Sequence, residues 1–399
     1  VRTLSMPYWC VANPVGDPFG GGVLPKVSVF EVTECLLWAK KEGLIVYTSA
    51  HDDDLVPWHP EEPEDDLDPS SETYQVLQEV KHQLQEAGIS VNTVGCNLHS
   101  HPLFRNGGLA NPNPAIRLVA IQKAMRTLRI GHFLGARYFT YWVARDGFEC
   151  QFAVPWESVF SYLREGLDIL ARYVKEHELS LQGGTIEYKP NEPRGEMFLP
   201  TVGHALGFIA QLEEPDFWGV NPEVLQHDQM ASLTSILAIA YALSAGKLCF
   251  LHVGNQKPNQ FDNDNPPLIG MDGVKEFVSI LYLLERARWE GIVEFDNHML
   301  RTDAVPQEEA KIEVRKEYIR LAVESYRLAE AKAEQLLQDG EICRLQEMLW
   351  RGDERIERVL TSRDVRAIAS LRVDVAELNE KRLSIGYLDF LVNKKVFGL

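Results

Sequence analysis

The chain has 399 residues and a formal net charge of -18, with 45% hydrophobic and 25% charged residues and a mean hydropathy of -0.18. That balance excludes a disordered chain and leaves enough apolar material for one large core or two smaller ones. The acidity argues against a nucleic-acid partner, which needs clustered Lys and Arg to release its counterions. No run approaches the roughly 18 apolar residues of a membrane span, and no cleavable leader pattern opens the chain, so the expected compartment is the cytoplasm.

Short runs rich in Val, Ile, Phe and Tyr recur along the chain, each followed by a polar turn and then by a stretch with helical spacing of its apolar residues. The first strand is expected at residues 8–11 and a helix at 32–41. A second strand at 44–48 leads through an acidic, proline-bearing solvated loop (61–68) to a helix at 72–86. Strands at 90–95 and 138–143 precede helices at 114–134 and 156–177, and strands at 184–187 and 217–220 precede helices at 201–212 and 229–243. The seventh strand is expected at 248–253, its helix at 272–288, and the eighth strand at 292–295. Eight such units imply parallel pairing and closure into a (β/α)8 TIM barrel whose site lies at the C-terminal strand ends. The alternative is a doubly wound open sheet, but nothing like GxGxxG follows the first strand.

The barrel is expected to occupy residues 1–303. From 304 to 399 the composition turns to Ala, Glu, Leu, Lys and Arg, which reads as a C-terminal helical tail. Its apolar residues, among them Leu321, Tyr326, Leu336, Leu345, Leu349, Ile368 and Leu388, need a partner surface on the barrel or on another subunit, so a homo-oligomer is expected. The cysteines (Cys10, Cys35, Cys96, Cys150, Cys249, Cys343) lack CxxC spacing and read as reduced thiols.

Polar residues collect where the strands end. His51, Asp52, Asp53 and Asp54 follow the second; Asn97, His99 and His101 the third; Trp142 closes the fourth. Glu187 and Lys189 end the fifth, Glu223 and His227 follow the sixth, His252 ends the seventh with Asp262 and Asp264 beyond it, and Asp296 ends the eighth. Taken singly, several have bland readings. The run Asp52, Asp53, Asp54 is ordinarily a solvated turn, a lone His99 or His101 a loop residue, and Asp262 with Asp264 inside NQFDNDNPP a polar turn. Glu187 and Asp296 are harder to dismiss, because each directly follows apolar strand residues. Converging at one mouth, Glu187, Glu223, Asp296 and at least one of Asp262 and Asp264 would repel each other by several kcal/mol, and a divalent cation is the economical remedy. Oxygen-rich ligation suits Mg²⁺ or Mn²⁺, while His227 and His252 tilt preference toward Mn²⁺ or Co²⁺.

The segment GTIEYKPNEPRGEMFLPTVGHALGFI (184–209) resembles the signature strand and helix of xylose isomerases of the shorter, actinobacterial-type class. GDPFG (16–20), HDDDLVPW (51–58), NLHSHPLFRNGG (97–108), GVNPEV (219–224) and FDNHMLRTD (295–303) resemble further family segments in the same order. The resemblance implies an aldose–ketose isomerase of the D-xylose to D-xylulose type. It would work by ring opening and a 1,2-hydride shift with two divalent metal ions (Mg²⁺, Mn²⁺ or Co²⁺), in a tetramer built through the tail.

By the same resemblance, His51 would open the ring, oriented by Asp54, and Lys189 would polarise the carbonyl. Trp9, Trp142 and a neighbouring subunit's copy of Phe19 would wall the sugar. Glu187, Glu223 and Asp296 would hold one metal, and Glu223, Asp262 and Asp264 the other.

This chain departs from the family pattern in four places. His252 stands in LCFLHVGNQ where the family has an aspartate ligand, which implies less charge compensation at the first metal. His227 falls four residues after Glu223 rather than three, a shift that would carry it off the second metal unless a loop absorbs it. His99 replaces a phenylalanine against the sugar. Val143 and Ala144 replace a glycine pair, and His298 a lysine. Clustered around the substrate, these changes fit a second reading, in which the same fold serves another or a modified sugar. A third reading is a barrel that binds sugar or metal without turnover.

Overall fold

The computed structural model describes residues 2–12, 27–61, 67–231, 233–260, 262, 264–265, 268–298 and 311–399. Phe19 and the expected domain boundary at 303/304 lie outside them.

Parallel strands form the sheet in an order in which each neighbours the next in sequence around the barrel. They are Leu4–Ser5, Tyr47–His51, Ser90–Gly95, Tyr138–Trp142, Gly183–Glu187, the split sixth strand Trp218–Val220 and Glu223–Val224, Leu251–Val253 and Val293–Phe295. Leu4 pairs with Val293, joining first strand to eighth, and Ser5 pairs with Tyr47. The expected first strand at 8–11 is instead a helical turn, Tyr8–Ala12. Aromatic and β-branched propensity in YWCV is overridden because Leu4 and Ser5 already fill the ladder position. Pro7 then starts a helical turn well, having no N–H to leave unpaired.

The sixth strand is broken at Asn221 and Pro222. Its first part pairs with the fifth strand (Thr185 with Gly219), and its second pairs with the seventh (Glu223 with His252). A single bridge, Val220 to Leu248, links the first part to the chain leading into the seventh strand. The long helix expected over 229–243 is two helices, His227–Met230 and Ser235–Ser244.

The helices seal the outside of the barrel for legible reasons. In Val159–Glu176, Leu163, Leu167, Leu170, Ala171 and Val174 recur on one face and are buried, which is the stripe a 3.6-residue period produces. Arg172 and Lys175 face outward to Glu213 and Glu214. Inside the barrel the layer is unusually polar: Thr93, Thr140 and Thr185 form a hydroxyl ladder across three strands at 2.7 and 3.0 Å. Apolar branched residues usually fill that space.

The described chain divides into two compact units, Val1–Leu328 and Ala329–Leu399. The second comprises the end of helix Lys311–Gln338 and helices Gly340–Trp350, Glu354–Ser362, Val365–Ser370, Val375–Glu380 and Ile385–Val396. Asp339, Asp353, Asp364 and Asp374 cap four of them by accepting backbone N–H bonds. Leu360, Val365, Val375, Leu378, Leu383, Ile385 and Phe390 are exposed there.

Candidate active site

A cavity of about 750 Å³ is lined by Trp9, His51, Asp54, His99, Trp142, Glu187, Lys189, Glu223, His227, His252, Asp262, Asp264, Asp296 and His298. Every site residue expected from the sequence and described in the structure therefore reaches one space, because each follows or ends a parallel strand on the same rim.

On one side, His51 ends the second strand. Its Nδ1 lies 3.2 Å from Asp54 Oδ2, which also accepts the His51 backbone N–H at 2.7 Å. Gly95 on the neighbouring strand makes room for the ring, since a Cβ there would lie 2.9 Å from His51 Cδ2. Burial disfavours the charged imidazole, but the bond and charge of Asp54 outweigh it and raise His51 above its ordinary range. Trp9 packs against His51 with ring centroids 4.7 Å apart and donates from Nε1 to Asp296 Oδ1 at 2.8 Å. His99 stands between His51 and Trp142 at 5.6 and 4.8 Å. Burial first, then the neighbouring His51, push His99 well below the usual range, so it is a neutral ring. His99 Nδ1 and Trp142 Nε1 are buried without hydrogen-bond partners, leaving two polar atoms in an otherwise aromatic wall for a ligand to satisfy.

The opposite side is acidic. Glu187 Oε2 accepts from Asn221 Nδ2 at 2.6 Å and lies 3.2 Å from His252 Nδ1, which is 3.3 Å from Asp296 Oδ2. His227 donates from Nδ1 to the Tyr188 carbonyl at 3.0 Å and directs Nε2 at Glu223 Oε2 (2.7 Å) and Asp262 Oδ2 (3.3 Å). The extra residue between Glu223 and His227 is absorbed at Leu225, whose φ of 59° turns the chain through the left-handed region. His227 thereby stays on the cavity wall, facing Glu223 and Asp262. Lys189 Nζ donates to Asp262 Oδ2 at 2.8 Å, with Glu192 Oε2 at 3.6 Å, and sits 5.3 Å from the Trp142 ring centroid. Burial opposes the ammonium, but Asp262 and Glu192 hold its pKa above the ordinary lysine value. Asp264 receives Gln226 Nε2 at 2.7 Å and lies 3.2 Å from His298 Nε2. Burial and then Asp262 push its carboxyl up to about 7.

These residues fit divalent cations. Potential ligand atoms within 4.8 Å of one another occur in Glu187, His252 and Asp296, in Glu187, Glu223 and His227, and in Glu223, Asp262 and Asp264. Glu223 Oε1, Asp262 Oδ1 and His252 Nδ1 are buried without hydrogen-bond partners, a costly state for polar atoms unless something occupies the space between them.

Two residues not singled out in the sequence belong to the arrangement. Asn221 holds Glu187, and Glu294, fully buried inside the eighth strand, accepts from His252 Nε2 at 2.9 Å. The signal for Glu294 was present: a carboxylate between Val293 and Phe295 must face inward if those two face the helices.

No family model matches the chain. Over 295 residues, 74% of this chain and 72% of the relative, it is 34% identical to the xylose isomerase of Thermus thermophilus. The same identity and coverage hold for the xylose isomerase of Thermus caldophilus. Among solved structures it is similar to L-ribulose 3-epimerase, with a TM-score of 0.56 and 14% identity over 85% of this chain and 99% of that one. It is also similar to D-psicose 3-epimerase, at 0.56 and 14% over 82% and 98%. At these identities the structural likeness is one of fold.

Proposed function

We propose that this chain, which belongs to the xylose isomerase family and is a sugar isomerase-type enzyme, is a metal-dependent aldose–ketose isomerase of the D-xylose to D-xylulose type. The observation that carries this reading is the meeting of the His51–Asp54 pair, Lys189 and the carboxylates Glu187, Glu223, Asp262, Asp264 and Asp296 around one cavity. Glu187, Glu223, His252 and Asp296 would hold one divalent cation, and Glu223, His227, Asp262 and Asp264 a second. When bound, such ions stabilise negative charge on sugar oxygens and make a hydroxyl easier to deprotonate.

The chain's own groups supply the rest. His51, fixed through Nδ1 by Asp54, presents Nε2 to take and return the proton that ring opening requires. Lys189, steadied by Asp262 and Glu192, donates from Nζ to the carbonyl oxygen. In the isomerisation the C2–H bond breaks and a C1–H bond forms, the C2 hydroxyl losing a proton and the C1 oxygen gaining one. Trp9 and Trp142 keep water from that hydride movement. His99 and His298 contact the sugar's remaining hydroxyls.

The unsatisfied His99 Nδ1 and Trp142 Nε1 favour one second reading, a different or modified sugar in the same site, because buried donors and acceptors reject substrates that leave them unpaired. The exposed apolar side chains of residues 329–399 support a homo-oligomer, with a tetramer the expected form and the tail its contact region. Buried free thiols at Cys10, Cys35 and Cys96 support a reducing, cytoplasmic setting. No helix among the described residues is long and apolar enough to cross a membrane.

The test is conversion of D-xylose to D-xylulose by chelator-stripped protein with Mg²⁺, Mn²⁺ or Co²⁺ restored one at a time. Metal-restored turnover is expected. A folded oligomer inactive with every ion would overturn the isomerase reading.

A further inference from the structure

We propose that Glu294 is a positioning residue for the metal site, fixing the orientation and the tautomer of His252; this rests on the metal-dependent reading above. The side chain of Glu294 is fully buried in the barrel, two residues before Asp296 on the same inward face of the eighth strand. Four donors from four other strands converge on it. Its Oε2 accepts from Ser5 Oγ on the first strand, Ser49 Oγ on the second and Asn92 Nδ2 on the third, the last at 3.1 Å. Ser49 Oγ itself accepts the Thr93 backbone N–H at 3.1 Å, so its proton is free to point at Glu294. Oε1 is left for His252 Nε2 alone, at 2.9 Å.

That arrangement determines what the imidazole can do. A carboxylate already filled with donors can only accept from a ring nitrogen, so Nε2 carries a proton. Nδ1 is then the atom turned toward the cavity, 3.2 Å from Glu187 Oε2 and 3.3 Å from Asp296 Oδ2, in hydrogen-bond geometry with neither. An imidazole whose far nitrogen donates to a carboxylate is a better-oriented and more basic metal ligand.

The same contact bears on the expectation that His252, in place of an aspartate, leaves the site with less charge compensation. Glu294 sets a buried carboxylate directly behind the ring, so the imidazole–carboxylate pair brings to the site the carboxylate that His252 alone lacks. Ser5, Ser49 and Asn92 stabilise the carboxylate where water cannot reach it.

The experiment is Co²⁺ titration of the chelator-stripped, full-length protein, followed by visible absorption and calorimetry. It compares wild type, Glu294→Gln, His252→Ala and the double variant. Glu294→Gln is expected to weaken one Co²⁺ site about 10- to 100-fold and to shift its ligand-field bands, with no further loss once His252 is Ala. An unchanged affinity and spectrum, or an equal loss in both backgrounds, would reduce Glu294 to a structural crosslink and overturn the proposal. If Glu294→Gln does not fold, nitrogen-15 histidine spectra of the wild type with Mg²⁺ decide instead: a protonated Nε2 and bare Nδ1 on His252 are expected, and the opposite tautomer refutes the inference. Wild-type protein that binds no Co²⁺ at all would remove the metal reading itself, whereas normal wild-type binding with a silent Glu294→Gln would sink only the role of Glu294.

Discussion

Two acidic regions sit at the strand ends, and they are balanced by different means. After the second strand, Asp52 is fully buried, its Oδ2 2.5 Å from Lys123 Nζ and 2.6 Å from Arg126 Nη1, while Oδ1 accepts the Asn97 N–H at 2.9 Å. Asp53 shares Lys123 at 3.1 Å. Burial works against ionising Asp52, yet Lys123 and Arg126 keep its carboxyl below the usual range. At the mouth, the carboxylates face imidazoles and a single lysine, Lys189, and buried oxygens of Glu223 and Asp262 remain unsatisfied. The first cluster is complete with protein atoms alone. The second leaves buried oxygens that protein atoms do not satisfy, and these orphaned oxygens rather than acidity distinguish the two.

Substitutions that break each cluster should therefore fail differently. The largest effect is expected for Glu187→Gln, which should take metal-restored sugar turnover below detection while the chelator-stripped protein keeps its thermal midpoint. Undiminished turnover would show that the mouth is not the catalytic centre. Asp52→Asn should instead cost about 3–5 kcal/mol in urea unfolding, since it strands two buried cations, and should leave metal affinity untouched; a loss under about 1 kcal/mol would mean that water reaches the cluster.

Within the mouth, His99→Phe sharpens the contrast between wall and ligand cage. It should change the ratio of kcat/KM between competing sugars by about 10- to 200-fold without changing metal affinity, and an unchanged ratio would place His99 out of reach of the sugar. The smallest effect concerns Asp53. Burial and the adjacent Asp52 push its carboxyl up to about 6, above the ordinary aspartate value of 3.8. The folded state therefore holds this proton more tightly than the unfolded chain, and the group's contribution to stability falls as pH rises from about 4 to about 6. Asp53→Asn should lose that part of the pH slope, as read from unfolding at a series of pH values, and parallel curves would contradict the assignment.

The barrel was legible because strands two to eight announce themselves as apolar runs with turn signals, and strand ends mark the site by rule. The first strand was not. Leu4 and Ser5 carry no periodicity that two residues could show, and their ladder is set by Tyr47 and Val293, far away in sequence. Asp52 was likewise misjudged as part of a solvated turn, because the partners that bury it, Lys123 and Arg126, lie on a helix some seventy residues on. Glu294 escapes notice beside Asp296 for a related reason: its meaning comes from His252 and from Ser5, Ser49 and Asn92, three residues ordinary in isolation, and only barrel closure assembles the four. Local pattern identifies what stands at a rim, while the balance of charge beneath it is a property of the closed fold.

The split sixth strand has a mechanical consequence. Because the chain changes partners at Asn221 and Pro222, the sixth strand meets the seventh through the Val220–Leu248 bridge and through the Pro222 carbonyl, which accepts the His252 N–H at 3.0 Å. Glu187, Glu223 and His252 stand on the three strands that meet at this crossover. A ligand that grips all three side chains at once would staple the fifth, sixth and seventh strands together at the point where the sixth changes partners.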